Sequence, residues 1–98
     1  MKLYRQALGE VLREARTVRG QTLRQVSTAA SCALGYLSEL ENGHKEASSE
    51  ILEGLARALK VTVSELAIRA GLRIAEESIP DTPAELYEEA PALIPHRG

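Results

Sequence analysis

Apolar residues recur at helical spacing through most of this chain. Leu8, Val11, Leu12 and Ala15 follow an i, i+3, i+4, i+7 pattern, which predicts an amphipathic helix from Leu3 to Val18, with Gly20 as its end point. Thr22-x-x-Gln25 fits a capping box and opens a second, shorter helix, with Val26 and Ala30 one turn apart on its inward face. Ser31-Cys32-Ala33 breaks that helix, and Ser31 stands in the turn as a candidate side-chain cap for the third helix. That third helix carries Leu37 and Leu40 inward and stops at Gly43, because glycine takes the left-handed cap without steric cost. Residues 42–47 read as a loop. Ser48 caps a fourth helix, whose stripe is Ile51, Leu52, Leu55, Ala56 and Leu59. Thr62-Val63-Ser64-Glu65 is another capping box and opens a fifth helix reaching about residue 77.

The fifth helix bears two apolar stripes. Val63, Leu66, Ala67 and Ala70 can finish the core. Ile68, Leu72, Ala75 and Ile79 form a second face that something else must cover. A second copy of the chain is the simplest cover, and the tail folding back is the alternative. Ile79-Pro80-Asp81-Thr82-Pro83 breaks the helix. Thr82-Pro83-Ala84-Glu85 then reads as a fresh start for a short helix over 83–90 bearing Leu86 and Tyr87, with 91–98 expected to be disordered. The pattern predicts an all-α fold in three stretches. Residues 1–62 hold four helices, residues 63–79 the fifth, and residues 80–98 a proline-spaced acidic tail.

Composition narrows the picture. The 98 residues suffice for one small domain with a thin core, so self-association is an expected source of extra stability. Phe and Trp are absent, leaving aliphatic residues and Ala to build the core. No run approaches the roughly 18 apolar residues of a membrane span. Met1–Arg5 leads into a charged amphipathic stretch rather than a signal-type apolar region, so the cytoplasm is the expected location. The net charge of -2 is unevenly placed. Residues 1–60 hold nine Lys/Arg against seven Asp/Glu, whereas residues 61–98 hold three against seven. Attraction for phosphate depends on the local face, not on that average.

Helix, tight turn, helix over residues 22–43 is the helix-turn-helix unit, whose second helix lies in the major groove of DNA. The stretch resembles the lambda-repressor/Cro (XRE) superfamily. Leu37-Ser38-Glu39-Leu40-Glu41-Asn42-Gly43 matches that superfamily's commonest ending, and the resemblance covers about Leu8 to Leu66. It implies a five-helix lambda-repressor-like DNA-binding domain, here with an extended fifth helix and a short C-terminal helix. A narrower resemblance is to the actinobacterial Clp gene regulator (ClgR) family of transcription activators, carried by Gly35-Tyr36-Leu37-Ser38-Glu39 and Lys45-Glu46-Ala47-Ser48-Ser49-Glu50. It implies activation of Clp protease genes, with RNA polymerase as a further partner, while the homodimer expected from the second stripe of the fifth helix would read a near-palindromic operator. Glu10, Glu14 and the acidic tail are the faces considered for that contact, and plain solubility explains them equally.

Position assigns roles within this reading. Leu34, Gly35, Ser38 and Glu39, on the first turn and outward face of the third helix, are the base-contacting candidates. Arg24, Gln25, Tyr36, His44, Lys45, Ser48 and Ser49 are the phosphate-contacting candidates, although a packing role suits Tyr36 as well. Leu23 stands where relatives often carry a phosphate-binding Gln, so Arg24 or Gln25 must take over that contact. Arg13 and Arg19 are either a basic rim or solvated surface. Ile68, Leu72, Ala75, Ile79, Leu86 and Tyr87 are the dimer-interface candidates. Spacing puts Arg16 on the buried side of the first helix and Glu41 on the inward side of the third. Two solvated charges remain open on spacing alone, while the resemblance implies a buried ion pair.

Catalysis is not indicated. His44 and His96 stand apart from any metal-ligand spacing, so neither a metal nor a cofactor is expected. Cys32 has no basic neighbour to make it a thiolate and reads as a structural thiol. The competing function is a protein-interaction module on the same fold, antitoxin-like or bridging, with secondary DNA contact.

Overall fold

The computed structural model describes residues 2–78. The tail 80–98, the short helix expected over 83–90, and Ile79, Leu86 and Tyr87 of the expected interface lie outside those residues. The described residues form α1 (Tyr4–Val18), α2 (Leu23–Ala29), α3 (Leu34–Glu41), α4 (Ser49–Leu59) and α5 (Val63–Ser78). The fold is all-α, as the periodicity predicts. None of the described helices is long and apolar enough to cross a membrane.

The capping boxes set the starts of α2 and α5. Thr22 Oγ1 accepts from the Gln25 N–H at 3.0 Å, and Gln25 Oε1 accepts from the Thr22 N–H at 2.8 Å. Thr62 and Glu65 repeat the exchange at 3.0 and 3.3 Å. Ser48 caps α4, accepting from the Ile51 N–H at 3.2 Å. Four helices end on a residue of positive φ: Gly20 (70°), Ser31 (58°), Gly43 (78°) and Lys60 (61°). Each turns the chain so that following N–H groups reach back to orphan carbonyls, as when the Gly43 and His44 amides bond Leu40 and Glu39 at 3.1 and 2.9 Å. Only two of the four are glycine. Ser31 and Lys60 therefore hold a conformation that costs a side-chain-bearing residue about 1–2 kcal/mol.

α1 packs on α3 and α5, α2 on α3 and α4, and α4 on α5. Their shared interior is Ala7, Leu8, Val11, Leu12 and Ala15 of α1 against Val26, Leu37, Leu40, Leu55, Ala56, Leu59, Leu66 and Ala70. One assignment on α5 changes. Ala67 is exposed, and Ile74 packs against the core instead. The inward row is Val63, Leu66, Ala70, Ile74, and Ala67 lies just off it because α5 lies along α1. The second stripe is open as expected, with Ile68 62% and Leu72 59% exposed.

Charges fasten α5 to α1 along the side of this contact. Lys2 bridges Glu10 at 2.6 Å and Glu77 at 3.4 Å, and Arg73 bridges Glu10 at 3.2 Å and also Glu14. Lys2 and Arg73 hold the Glu10 carboxyl below the usual carboxylate range. Glu10 and Glu14 are therefore engaged within the fold.

Candidate nucleic-acid interface

α3 is held from behind by α1. Gly9 makes the close approach possible: a side chain there would meet the carbonyl oxygens of Leu40 and Glu41, the latter within 2.6 Å of the added carbon. Arg16 reaches across the same contact. Its Nε donates to Glu41 Oε2 at 2.7 Å, its Nη2 to Oε1 at 3.0 Å, and its Nη1 to the Gln21 carbonyl at 2.9 Å. Glu41 is 5% exposed, so its charge would be unsupported without this fork. Arg13 adds a second cation 3.6 Å from the same carboxylate. Arg13 thus belongs to this cluster rather than to a free basic rim. The carboxylate in turn favours the charged Arg16 guanidinium, raising its pKa.

The loop after α3 is pinned at both ends. Arg5 Nε donates to the Gly43 carbonyl at 3.0 Å, and Arg5 also lies 3.7 Å from Glu46. Tyr36 Oη donates to the Glu46 carbonyl at 2.6 Å. That bond gives Tyr36 the packing role, one of the two expected of it. A phosphate oxygen needs a donated proton, and the phenol's one proton is already directed at the loop.

With its inner side fixed, α3 turns a strip of short side chains outward. Leu34, Gly35 and Glu39 are exposed and Ser38 is half-buried, while Leu37, Leu40 and Glu41 face the core. A side chain added at Gly35 would meet nothing within 4 Å, so this part of the helix surface is open. The N-cap of α3 is Ala33, which offers no side-chain bond. Ser31 does not cap α3; it serves as the left-handed turn residue after α2. The start of α3 therefore has no side-chain cap, and the N–H groups of an uncapped helix start favour an anion.

Of the other assigned residues, Lys45 reaches this strip. Lys45 lies 3.7 Å from Glu39, so a base-contacting candidate and a phosphate-contacting candidate are paired in the free protein. His44 is exposed beside Lys45. Ser48 and Ser49 are exposed at the start of α4, where the Ser48 hydroxyl oxygen caps the helix. Arg24 and Gln25 are exposed in the first turn of α2. Gln25 uses its carbonyl oxygen in the capping box and keeps its amide N–H groups for an acceptor. Cys32 is half-buried, and burial pushes its thiol pKa up, away from thiolate chemistry.

Sequence reasoning missed three supports of this site. Arg5 gave no signal, because its partner is a backbone carbonyl 38 positions away. Gly9 stood in an otherwise regular helix, where an isolated glycine is itself the hint of a close backbone approach. Gly54 plays the same part between α4 and α2, where an added side chain would come 3.2 Å from the Ala30 carbonyl oxygen.

A family model described as a helix-turn-helix domain matches residues 7–76. The transcriptional regulator ClgR of Mycobacterium tuberculosis is 49% identical over 75 residues, covering 76% of this chain and 67% of that protein. The crystal structure of the clp gene regulator ClgR from Corynebacterium glutamicum is similar at a TM-score of 0.76 and 39% identity, covering 91% of this chain and 95% of that one. The restriction-modification controller protein C.AhdI from Aeromonas hydrophila is similar at a TM-score of 0.62 and 27% identity, over 63% of this chain and 94% of that one.

Proposed function

The chain belongs to the helix-turn-helix domain family and is a DNA-binding transcriptional regulator of the ClgR kind, and from that premise we propose that it activates clp genes as a homodimer on a near-palindromic operator. The observation that supports this most directly is the outward strip of α3, short at Gly35 and Ser38, open, and met by Lys45 at Glu39, with His44, Arg24 and Gln25 also exposed. Short side chains let the helix seat deeply in the major groove, where Leu34 meets a thymine methyl and Glu39 accepts from a cytosine amino group. Phosphates accept from Arg24, Gln25, His44, Lys45, Ser48 and Ser49 and from the first amides of α3.

Few of these side chains read bases. Affinity then depends on phosphate contacts and on doubling the site. Ile68 and Leu72, both well exposed on α5, are the apolar surface a symmetric second copy covers. The two recognition helices then meet half-sites about 34 Å apart. As an activator the protein also meets RNA polymerase.

Footprinting on fragments that carry clp promoters tests the proposal. A protected near-palindrome, lost in Leu72→Asp together with the dimer seen by sedimentation, is the expected result. Uniform weak retention of every fragment overturns it and favours the protein-interaction reading.

A further inference from the structure

A groove of about 450 Å³ lies where the end of α1 meets the α4–α5 connection. Val18 and Val61 form its apolar part, and Arg19, Lys60 and Arg69 are among its charged walls. Glu14 also borders it, but Arg73 engages that carboxylate. Val18 is 79% exposed, more than Ile68 or Leu72, and it extends a helix whose other inward apolar residues are buried. The groove is thus an apolar floor with a basic rim, in which Arg69 also faces Glu65 at 3.6 Å and Arg19 donates to Gln21 at 3.1 Å, leaving Lys60 as its freest cation among the described residues.

We propose that this groove is the docking site for the chain's own segment 84–90. Charge and reach both point there. Asp81, Glu85, Glu88 and Glu89 surround Leu86 and Tyr87, and no Lys or Arg follows Arg73 until Arg97. The segment is therefore an acidic rim around an apolar pair, the complement of the groove. α5 runs antiparallel to α1, since Lys2 meets Glu77 at one end and Arg73 meets Glu14 nearer the other. From Arg69 at the groove, α5 carries the chain about 14 Å away by Ser78, at 1.5 Å per residue. Five extended residues span about 17 Å, so the return is complete near residue 84. Leu86 then sits on Val18 and Val61, with the carboxylates on Arg19, Lys60 and Arg69.

Crosslinking in the full chain tests this. In a Cys32→Ser background, Val18→Cys with Leu86→Cys should form an intrachain disulfide under oxidised glutathione about tenfold faster than Ile68→Cys with Leu86→Cys, because docking raises the local concentration of one thiol at the other. Adding Lys60→Glu and Arg69→Glu should remove the difference. A faster link to position 68 would place the segment on the open stripe of α5 and overturn the proposal. Predominantly interchain links would give the groove to a second copy and overturn it too. The unmodified chain supplies a second readout: nuclear Overhauser contacts between the Leu86 methyls and those of Val18 or Val61 support docking, and their absence rejects it.

Discussion

Arg16 and Glu41, 25 positions apart, form a two-bond fork with Nε–Oε2 at 2.7 Å and Nη2–Oε1 at 3.0 Å. The pair joins α1 to the inner side of α3. It orients the recognition helix as well as holding it, because a fork fixes direction where a single bond would not. Glu41→Ala strands the guanidinium and opens the crossing, so it should cost about 3 kcal/mol in urea unfolding. Glu39→Ala, on the exposed side, should change stability by less than about 0.5 kcal/mol. Replacing both partners, Arg16→Met with Glu41→Leu, should recover much of the loss. Equal unfolding midpoints for the two single variants would reject the fork as a stabilising contact.

Two glycines on opposite sides of the same problem should behave oppositely. Gly9→Ala forces α1 off the α3 carbonyls and should destabilise the fold by about 2 kcal/mol, by overpacking against backbone. Gly35→Ala meets open space and should leave stability unchanged or slightly raised. The same change should weaken operator binding if α3 enters the groove as proposed. Melting curves and titrations on the pair separate structural glycine from interface glycine.

Salt dependence isolates Lys45. Lys45→Ala should lower affinity for all sequences and reduce the slope of log K against log salt by about one unit. Glu39→Gln removes the carboxylate 3.7 Å from Lys45 and should strengthen nonspecific binding while relaxing sequence preference. An unchanged slope in Lys45→Ala rules that residue out as a phosphate contact.

The turn before α3 contains a relievable strain. Ser31 has φ 58°, a region glycine enters freely. Part of the gain from Ser31→Gly is offset by the greater freedom of glycine in the unfolded chain, leaving about 0.5–1 kcal/mol of added stability. Differential scanning calorimetry reads this as a higher Tm, with DNA affinity unaltered.

Acid should loosen α5 first. Glu10 has a depressed carboxyl pKa in the fold, chiefly because Lys2 donates to it and Arg73 assists. A depressed folded-state value adds stability that is complete above the unfolded value, about 4.3, and is lost as pH falls through the lower folded value. Hydrogen exchange at pH 3 should therefore show α5 opening before α4. Glu10→Gln should lose the bridge at neutral pH and remove that part of the acid sensitivity.

The helices, the caps Thr22, Ser48 and Thr62 and the helix-turn-helix ending were legible in the chain because each is a local signal, whereas Ser31, expected to cap α3, took the left-handed turn position. Apolar spacing, Thr-x-x-Gln, Thr-x-x-Glu and a glycine after Asn42 act within a turn or two of where they stand. Crossings are different, since they depend on which backbone comes near which. Only the folded arrangement showed Gly9 against Leu40, Arg5 on the Gly43 carbonyl, Tyr36 committed to Glu46, and Glu10 and Glu14 taken up by Arg73. Those contacts join residues with no periodic or spacing relation to one another. Ala67 and Ile74 make the same point, because a helical stripe names several apolar neighbours and the packing angle on α1 selects among them.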